Sequence, residues 1–391
     1  MKFAFFANTD WYLYNFRLAT ALRLRSLGVE TVMISPPGEF GRRFADHGIR
    51  WLTLPMDRAS LNPLREALLL RQLTRLLKRE RPDLLHNFTV KCAVYGALAA
   101  RAAAVPAVVN AVAGMGYVFT SDRAKARLLR PIVSALMRCT LGSGNSRVIL
   151  QNPDDADAFA ELRLAAPEKT RMIRSSGVDT GRFRPGGRDA ETARPLRVVL
   201  AARLLWEKGI REYVDAAILL GQQGRRIELL LAGTPDPGNP RSVPRDEVER
   251  WHRDRLLQWL GHVDDMAALL REVDVMALPS YYREGVPKSL IEGAACGLAL
   301  VTTGLPGCRE VVTEHDVDGL RIEPRCAKSL AEALARLDDD RPLRRRLGTR
   351  ARERALQHFD ERIVIQKTID VYGEVLGSPL TGAAPQYASA S

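Results

Sequence analysis

The sequence predicts an α/β protein made of two domains, each with a parallel sheet. Its 391 residues exceed what a single hydrophobic core usually serves, so two domains are expected. Short apolar runs alternate with amphipathic segments along the chain, a pattern typical of parallel strands joined by crossover helices. A Gly-Gly pair within the polar stretch 186–195 predicts the linker between the two halves.

The composition is that of a globular protein, with 46% hydrophobic and 27% charged residues. Its 5 cysteines are odd in number and scattered, and no Cys-x-x-Cys pair occurs. This cysteine usage argues against a disulfide framework and against a zinc site. It predicts that the protein resides in a reducing compartment, the cytoplasm.

The formal charge of +12 is concentrated in the first half of the chain. Residues 1–190 carry 29 basic and 16 acidic side chains, whereas the rest carries 29 and 30. Such asymmetry predicts an anionic partner for the first half: a membrane surface, a phosphorylated lipid or a nucleic acid.

The chain opens with the apolar run 2–7, which predicts a buried strand and is too short for the core of a signal peptide. Asp10, Trp11 and Tyr12 follow it, so they are expected at the carboxyl end of a strand, where parallel sheets bind ligands. The two aromatic residues suit a platform for a sugar ring, with core packing as the alternative.

After a strand over 31–35, another strand is predicted over 82–86, with His86 at its carboxyl end and Lys91 just before the helix 92–103. His86 is a candidate ligand-binding residue, with a packed structural histidine as the alternative. The uncharged stretch 102–121 is interrupted by proline, asparagine, Gly114 and Gly116. A short strand and a glycine loop therefore explain this stretch better than a membrane span does.

Two segments of the first half are basic and partly apolar. The helix predicted over 63–80 combines leucines at helical spacing with arginines and lysines on its other faces, and residues 123–147 contain six basic residues and no acidic one. Such a segment is either a core helix with a solvated basic side or a helix that lies on anionic lipid.

The second half begins with a strand predicted over 196–204, followed by a helix from residue 210. Arg203 lies at the end of this strand and Lys208 just before the helix. Two cations beside the free amides of a helix start predict a site for a diphosphate.

Residues 273–303 read as strand, helix and strand, with Glu284 in the first turn and Glu292 in the helix. Seven residues separate the two glutamates, too many for a close acid/base pair. They suit a long polyol ligand, with one carboxylate on sugar hydroxyls and the other on a ribose diol; the alternative is two solvated surface glutamates. The exposed backbone of the segment between them is expected to face an anion. This segment comprises Gly285, Val286, Pro287 and Lys288.

Glu284, Gly285 and Glu292 within this loop–helix–glycine pattern resemble the signature of the retaining glycosyltransferases of family 4. The resemblance covers most of the chain and implies the GT-B fold, with two Rossmann-like domains and a cleft between them. It implies an acceptor domain over 1–185, the linker 186–195 and a donor domain over 196–360. A last helix, 361–376, would cross back to the first domain, and the tail 377–391 is expected to be disordered.

The resemblance also implies roles for these residues. His86 resembles the histidine that ends the matching strand in related transferases, near the acceptor side, and the acceptor site would also include Asp10, Trp11, Tyr12, Lys91, Gly114 and Gly116. Arg203 and Lys208 would bind the donor diphosphate, Glu284 would orient the donor sugar, and Glu292 would hold the ribose. The nucleobase would meet the backbone of Gly261, His262 and Val263. Two family features are missing, because Asn8 and Thr9 stand where many members have paired glycines, and the loop 113–119 has no histidine.

That loop, AGMGYVF, resembles the branch of the family that acts on undecaprenyl diphosphate. The implied activity is retaining, metal-independent and cofactor-free transfer from a UDP-sugar to an undecaprenyl-diphosphate-linked glycan of O-antigen, lipopolysaccharide or capsule. With the basic half, it implies peripheral binding to the anionic cytoplasmic face of the inner membrane.

Three alternatives stay open. An inverting transferase could use Asp10 or His86 as its base. A dinucleotide-dependent oxidoreductase would suit the alternating elements, although no Gly-x-Gly-x-x-Gly fingerprint follows a strand. A nucleic-acid-binding protein would suit the basic half, but no recognised reader motif is present, so no nucleic-acid partner is expected.

Overall fold

The computed structural model describes residues 1–57, 60, 62–115, 119, 124–186 and 194–380. The chain divides into two compact units, of which the first comprises Met1–Ser176 with Val364–Ser391 and the second Gly177–Ile363. Each unit is organised around a parallel sheet, which confirms the expected α/β fold class.

Among its described residues, the first unit contains a seven-stranded sheet in the order β3-β2-β1-β4-β5-β6-β7. Its strands are β1 (Lys2–Phe6), β2 (Glu30–Ser35), β3 (Arg50–Thr53), β4 (Leu84–Phe88), β5 (Ala107–Val112), β6 (Ser146–Leu150) and β7 (Thr170–Met172). All paired strands are parallel, and the central ones are buried on both faces, which explains their continuous apolar sequences.

Helices cover both faces of this sheet. They are Asp10–Ser26, Pro63–Glu80, Val90–Ala102, Ala124–Thr140, Pro153–Glu161 and, from Val364 onward, Glu361–Leu376. One core lies between the sheet and the first and last of these helices, and the second helix packs on the other face. A 3-10 helix, Gly41–His47, precedes β3.

The second unit contains, in its described part, a six-stranded sheet in the order β10-β9-β8-β11-β12-β13. Its strands are β8 (Leu196–Ala201), β9 (Ile227–Ala232), β10 (Gln258–Gly261), β11 (Val275–Leu278), β12 (Ala299–Thr303) and β13 (Leu320–Ile322). The helices are Ile210–Gln222, Arg245–Arg253, Met266–Arg271, Lys288–Ala295, Cys308–Val311, Ala327–Asp339 and Arg341–His358. Two apolar cores lie on the two faces of the sheet.

The boundary between the units lies at residue 176, earlier than the expected 185. Val178 explains the difference, because its N–H donates to the carbonyl of Phe359 (2.8 Å) and its carbonyl accepts from the N–H of Glu361 (2.9 Å). Phe183 is also buried in the core of the second unit. Residues 187–193 of the expected linker and 381–391 of the expected tail lie outside the described residues, while Leu380 packs against the first core.

Two strand ends differ from the expectation. β4 continues to Phe88 instead of ending at His86, because buried Asn87 donates a side-chain hydrogen bond to Asn110 of the neighbouring β5 (2.9 Å). β8 ends at Ala201, before the expected residue 204. The short strands β3, β7 and β13 were not expected, since runs of three or four residues give little periodicity.

Candidate active site

The strand order of the second sheet reverses between β8 and β11, which are neighbours although their sequences are far apart. The loops after these two strands therefore flank a topological switch point, the place where open α/β sheets bind ligands. The loop after β8 contains the 3-10 helix Trp206–Lys208, and the loop after β11 leads to the helix Lys288–Ala295.

Lys208 and Glu284 meet at this switch point. The Lys208 ammonium donates to Glu284 Oε1 over 2.5 Å, and the two side chains are only 16% and 12% exposed. The sequence predicted both residues as site residues, and the structure brings them into direct contact. Such a pair offers a ligand a carboxylate for sugar hydroxyls and, beside it, a cation for a developing negative charge.

Ser280 joins the two loops and was not predicted from the sequence. Its hydroxyl is fully buried, 2.8 Å from Glu284 Oε1 and 3.0 Å from the carbonyl oxygen of Glu207. The Thr303 hydroxyl donates to the Ser280 carbonyl over 2.7 Å, which anchors the serine to β12. A serine just after a buried strand was the available signal, but its contacts depend on which strands are neighbours.

Two glycines allow the backbones of the loops to approach closely. Gly209 has φ +78°, and an added Cβ would lie 2.2 Å from the Pro279 carbonyl oxygen. Gly307, in the loop after β12, has φ +83°, and its added Cβ would overlap the carbonyl of Gly285. Three successive parallel strands thus place their carboxyl-terminal loops in contact around Glu284.

Arg203 lies near the end of β8, as predicted. It pairs with Asp236, whereas Lys208 pairs with Glu284. Arg203 Nη1 donates to Asp236 of the loop after β9 over 2.8 Å, and the arginine is 57% exposed. An exposed pair of this kind contributes little to stability, about 0–1 kcal/mol. Arg203 can therefore exchange Asp236 for a ligand anion at small cost.

Pro287 is the N-cap residue of the helix Lys288–Ala295, and no side-chain hydrogen bond caps the first turn of this helix. The positive end of its helix dipole favours an anion at this point. Glu292 lies within this helix, half-buried, and burial raises the pKa of its carboxyl to about 7 even though Lys288 and Arg182 oppose the shift. Val286 is buried in the core, so its side chain holds the loop and does not face a ligand.

The predicted nucleobase loop follows β10, next to β9. The carbonyl of Gly261 accepts from the N–H of Gly233 at the end of β9 (2.7 Å). His262 is exposed and lies 3.4 Å from Asp264, while Val263 packs against the core.

In the first unit, Asp10 has a structural role that contradicts its assignment to acceptor binding. Its carboxylate is buried and accepts three backbone hydrogen bonds of 2.8 Å, from Trp11, Phe40 and Gly41. These bonds fix the loop after β2 onto the start of the first helix. A carboxylate held by three amides is poorly placed to act as a general base.

Trp11 and Tyr12 lie at the carboxyl end of β1, as expected. The ring of Trp11 is largely exposed and meets Phe16 edge-on at 5.4 Å. Tyr12 stacks on Phe16 at 5.1 Å, and its hydroxyl accepts from Arg17 over 2.7 Å. The exposed Trp11 keeps the aromatic platform available to a sugar, whereas Tyr12 belongs partly to the packing beneath it.

His86 is a packed core histidine, so its assignment to the acceptor site was wrong. Because β4 continues past it, the side chain points into the core, where Nδ1 lies 2.7 Å from the Tyr372 hydroxyl. Burial, with a smaller contribution from Arg17, holds the pKa of His86 well below its usual range. The imidazole is therefore neutral, and it is removed from any role as a base toward ligand.

Lys91 is held by its own unit. Its ammonium donates to the carbonyls of Asp57 (2.7 Å) and Ser60 (3.1 Å) and to the carboxylate of Glu66 (2.9 Å), and its assignment as an acceptor ligand stays a prediction. Gly114 has φ +85°, as a glycine turn requires. Gly116 lies outside the described residues. In the described part of the chain, no three His, Cys, Asp or Glu side chains are grouped as a metal would require.

Comparison with family models identifies both halves of the chain. Residues 2–151 match the model "Glycosyl transferase 4-like", and residues 195–340 match "Glycosyl transferases group 1".

Two curated relatives carry named activities. The chain is 28% identical over 96% of its length, and 99% of the relative's, to the N,N'-diacetylbacillosaminyl-diphospho-undecaprenol alpha-1,3-N-acetylgalactosaminyltransferase of Campylobacter jejuni. It is 23% identical, over 77% of its length and 78% of the relative's, to the UDP-Gal:alpha-D-GlcNAc-diphosphoundecaprenol alpha-1,3-galactosyltransferase of Escherichia coli.

A solved structure shares the fold. The Anabaena protein Alr3699/HepE in complex with UDP-glucose superposes with a TM-score of 0.77 at 21% identity, covering 95% of this chain and 99% of that one.

Proposed function

This chain belongs to the group 1 glycosyltransferases with a 4-like amino-terminal half, and on that premise we propose that it extends a lipid-linked glycan. The donor is a UDP-sugar, the transferred group is a hexose or N-acetylhexosamine, and the acceptor is a sugar on undecaprenyl diphosphate. Two relatives that match most of the chain carry names of this kind, which supports the acceptor class. The product belongs to a surface polysaccharide such as O-antigen or capsule.

The contact between Lys208 and Glu284 carries this proposal. In the donor complex, Glu284 accepts hydrogen bonds from hydroxyls of the donor sugar, and Lys208 faces the departing diphosphate. Charge that grows on the leaving group is stabilised best by a cation already fixed in place, because the protein then need not reorganise during the reaction. Ser280 fixes the carboxylate and the loop that carries the lysine at the same time.

The remaining donor contacts surround this pair. Arg203 leaves Asp236 to meet the diphosphate, and the uncapped amides of the helix Lys288–Ala295 add partial positive charge. Glu292 accepts from the ribose hydroxyls. The backbone of residues 261–263 meets the base.

The proposed transfer retains the configuration of the anomeric carbon. The acceptor hydroxyl attacks the face from which the diphosphate leaves, and the departing phosphate accepts its proton. Neither side chain considered as a base in the first unit suits the inverting alternative, because Asp10 is held by three amides and His86 is buried and neutral. The anomeric coupling constant of the product, measured by NMR, tests this point, and an inverted product would contradict it.

No metal or cofactor is included in the proposal, since Lys208, Arg203 and the helix amides supply the positive charge that the diphosphate needs. Transfer should be unchanged by EDTA. Loss of activity on chelation, with rescue by manganese or magnesium, would contradict this part of the proposal.

The direct test is mass spectrometry of a short-chain lipid-diphosphate sugar incubated with a panel of UDP-sugars. One UDP-sugar should extend the acceptor by a single hexose or N-acetylhexosamine. Absence of extension with every donor would contradict the proposed reaction.

We also propose that the first unit binds the cytoplasmic face of the inner membrane. Exposed apolar side chains support this: Leu64 and Leu68 on the helix Pro63–Glu80, and Leu128, Ile132 and Leu136, spaced by four residues, on the helix Ala124–Thr140. Both helices also carry several cations, each contributing about 1 kcal/mol near an anionic bilayer. In the described part of the chain, no helix is both long and apolar enough to cross a bilayer.

Sedimentation with anionic liposomes tests membrane binding. Binding should fall steeply with added salt, because salt screens the attraction between the basic helices and the bilayer. At physiological ionic strength this attraction reaches only about 8 Å, the Debye length. Charge reversal at Arg71, Arg75 and Lys78 should weaken both binding and transfer to a long-chain acceptor, and spare transfer to a short water-soluble one. Binding that ignores salt, or equal loss on both acceptors, would contradict the proposal.

A further inference from the structure

Arg17, in the helix Asp10–Ser26, is a buried cation that no acid among the described residues neutralises. In the part of the chain that the structure describes, it is the only lysine or arginine that is buried, with 6% of its surface exposed. Its Nη2 donates to the Tyr12 hydroxyl, and its guanidinium lies 4.4 Å from the centre of the Phe88 ring. Its buried Nε has no hydrogen-bond partner, and no described carboxylate forms an ion pair with it. A guanidinium left in this state carries a desolvation cost that a bound anion would offset.

Other partly buried cations of the same unit are paired. Lys91 contacts Glu66 at 2.9 Å, and Arg147 contacts Glu374 at 3.0 Å. Arg17 differs from these partly buried cations, since no described acid pairs with it.

The position of Arg17 is that of a ligand site. The order of the first sheet reverses between β1 and β4, so the crevice beyond their carboxyl ends is the switch point of this unit. Arg17 packs on Phe88, the last residue of β4, and on Tyr12, which follows β1. It thus occupies the edge at which a ligand of the first unit would bind.

The backbone beside Phe88 adds to the positive potential. Thr89 has φ 77° and ψ 155°, a region that a β-branched residue adopts only at a cost, and such strain is concentrated at functional sites. The helix Val90–Ala102 begins directly after it, without a side-chain cap. His86 is neutral and adds no negative charge. Guanidinium and helix amides together favour an anion.

We propose that Arg17 recognises a phosphate group of the acceptor, the one bonded to the acceptor sugar. This inference rests on the proposed function and assigns the diphosphate of that acceptor to a residue. Arginine suits the task because its planar fork holds two phosphate oxygens at once, while the exposed Trp11 takes the attached sugar at the same edge. Arg17 would select lipid-diphosphate sugars over neutral glycosides with the same sugar.

The test compares two acceptors with the same sugar, one an alkyl diphosphate and the other a neutral alkyl glycoside. For the wild-type chain, KM for the diphosphate acceptor should be lower by roughly 10- to 100-fold, the range for hydrogen bonds to a charged group. Arg17→Met keeps an apolar stem on Phe88 and should abolish most of this preference. Its kcat on the neutral acceptor and its KM for the donor should be unchanged.

Arg43→Met is the matched control, because Arg43 also lies over an aromatic ring of this unit (Phe40, 4.8 Å) but is exposed. It should keep the preference, and Arg17→Lys should keep part of it. An equal rise in KM for both acceptors in Arg17→Met would show a purely structural role and overturn the proposal.

The wild-type measurement alone is also decisive if the Met variant does not fold. A wild-type chain that uses both acceptors equally well would overturn the assignment of Arg17 and leave the transferase function intact. A wild-type chain that extends neither acceptor would instead contradict the proposed function itself.

Discussion

The two units have the same topology at their switch points but use charge there in opposite ways. In the second unit, Lys208 and Glu284 pair with each other and remain partly accessible, so a ligand can divide the pair between sugar and phosphate. In the first unit, Asp10 and Lys91 are held by the unit's own backbone and side chains, and Arg17 is left as a buried cation. A shared sheet edge thus locates ligands, while the hydrogen-bond partners of each side chain decide which residues are available to them.

Removing the pair should have the largest effect. Glu284→Gln and Lys208→Ala should each lower kcat by roughly 10²- to 10³-fold, the usual cost of losing one fixed electrostatic contact with the reacting group. Steady-state kinetics with a saturating donor measures the loss. Glu332→Gln, an exposed glutamate of the same unit, is the control and should leave the rate unchanged. Full activity in both folded variants would remove the basis for this site.

Disturbing the backbone around Glu284 should cause the second-largest fall in kcat. Gly307→Ala adds a Cβ where the Gly285 carbonyl lies, at a φ of +83°, so the loop that carries Glu284 must shift. We expect a fall in kcat of roughly 10- to 100-fold, because small displacements of a positioned group are costly. Gly221→Ala is the control, since its added Cβ meets no atom within 4 Å. Equal activity in the two variants would show that the loop contact is dispensable.

The fold and the chemistry of the donor site could be predicted further than their contacts could. Local patterns assigned Arg203, Lys208 and Glu284 to strand ends or a helix start, and they assigned Glu292 to the helix that follows Glu284. The contact between Lys208 and Glu284 depends on β8 lying beside β11, a long-range pairing that no local pattern encodes. Ser280 was missed for the same reason, because two of its partners come from other parts of the chain, Glu207 from the loop after β8 and Thr303 from the end of β12.

The first unit was predicted less well because burial decided the roles of its polar residues. His86 was placed at a strand end since asparagine follows it, yet Asn87 is buried with Asn110 and the strand continues. Asp10 was assigned to a ligand site because it follows a buried strand, yet the loop after β2 folds over it. A lone polar residue carries no sign in the sequence of whether the fold supplies its partner.

Glu292 provides a test through pH. Burial raises the pKa of its carboxyl from 4.5 to about 7, so the folded chain holds this proton at a pH where the unfolded chain has lost it. The contribution of Glu292 to the free energy of unfolding therefore falls by on the order of 1–3 kcal/mol as pH rises from about 4.5 to about 7. Glu292→Gln should remove this decline and be more stable than wild type at pH 7.

Urea denaturation at several pH values measures the decline, with Glu332→Gln as the control that keeps it. The same Glu292→Gln variant should raise the KM for the donor about tenfold and leave kcat nearly unchanged, because it removes the proposed ribose contact, which is remote from the reacting bond. A pH dependence of stability equal to that of wild type would contradict the burial argument for Glu292.

The smallest effect on turnover is expected at Asp10, where a carboxylate of the first unit serves the fold alone. Asp10→Asn should lower the free energy of unfolding by about 1–2 kcal/mol, because its new amide group faces backbone donors that previously met a charge. Turnover per folded molecule should stay within about threefold of wild type, since the carboxylate of Asp10 is occupied by hydrogen bonds from three backbone amides and takes no part in the chemistry. Chemical denaturation and kinetics on the same preparation separate the two quantities. A large loss of kcat at unchanged stability would return Asp10 to the reaction, and with it the inverting mechanism and a catalytic switch point in the first unit.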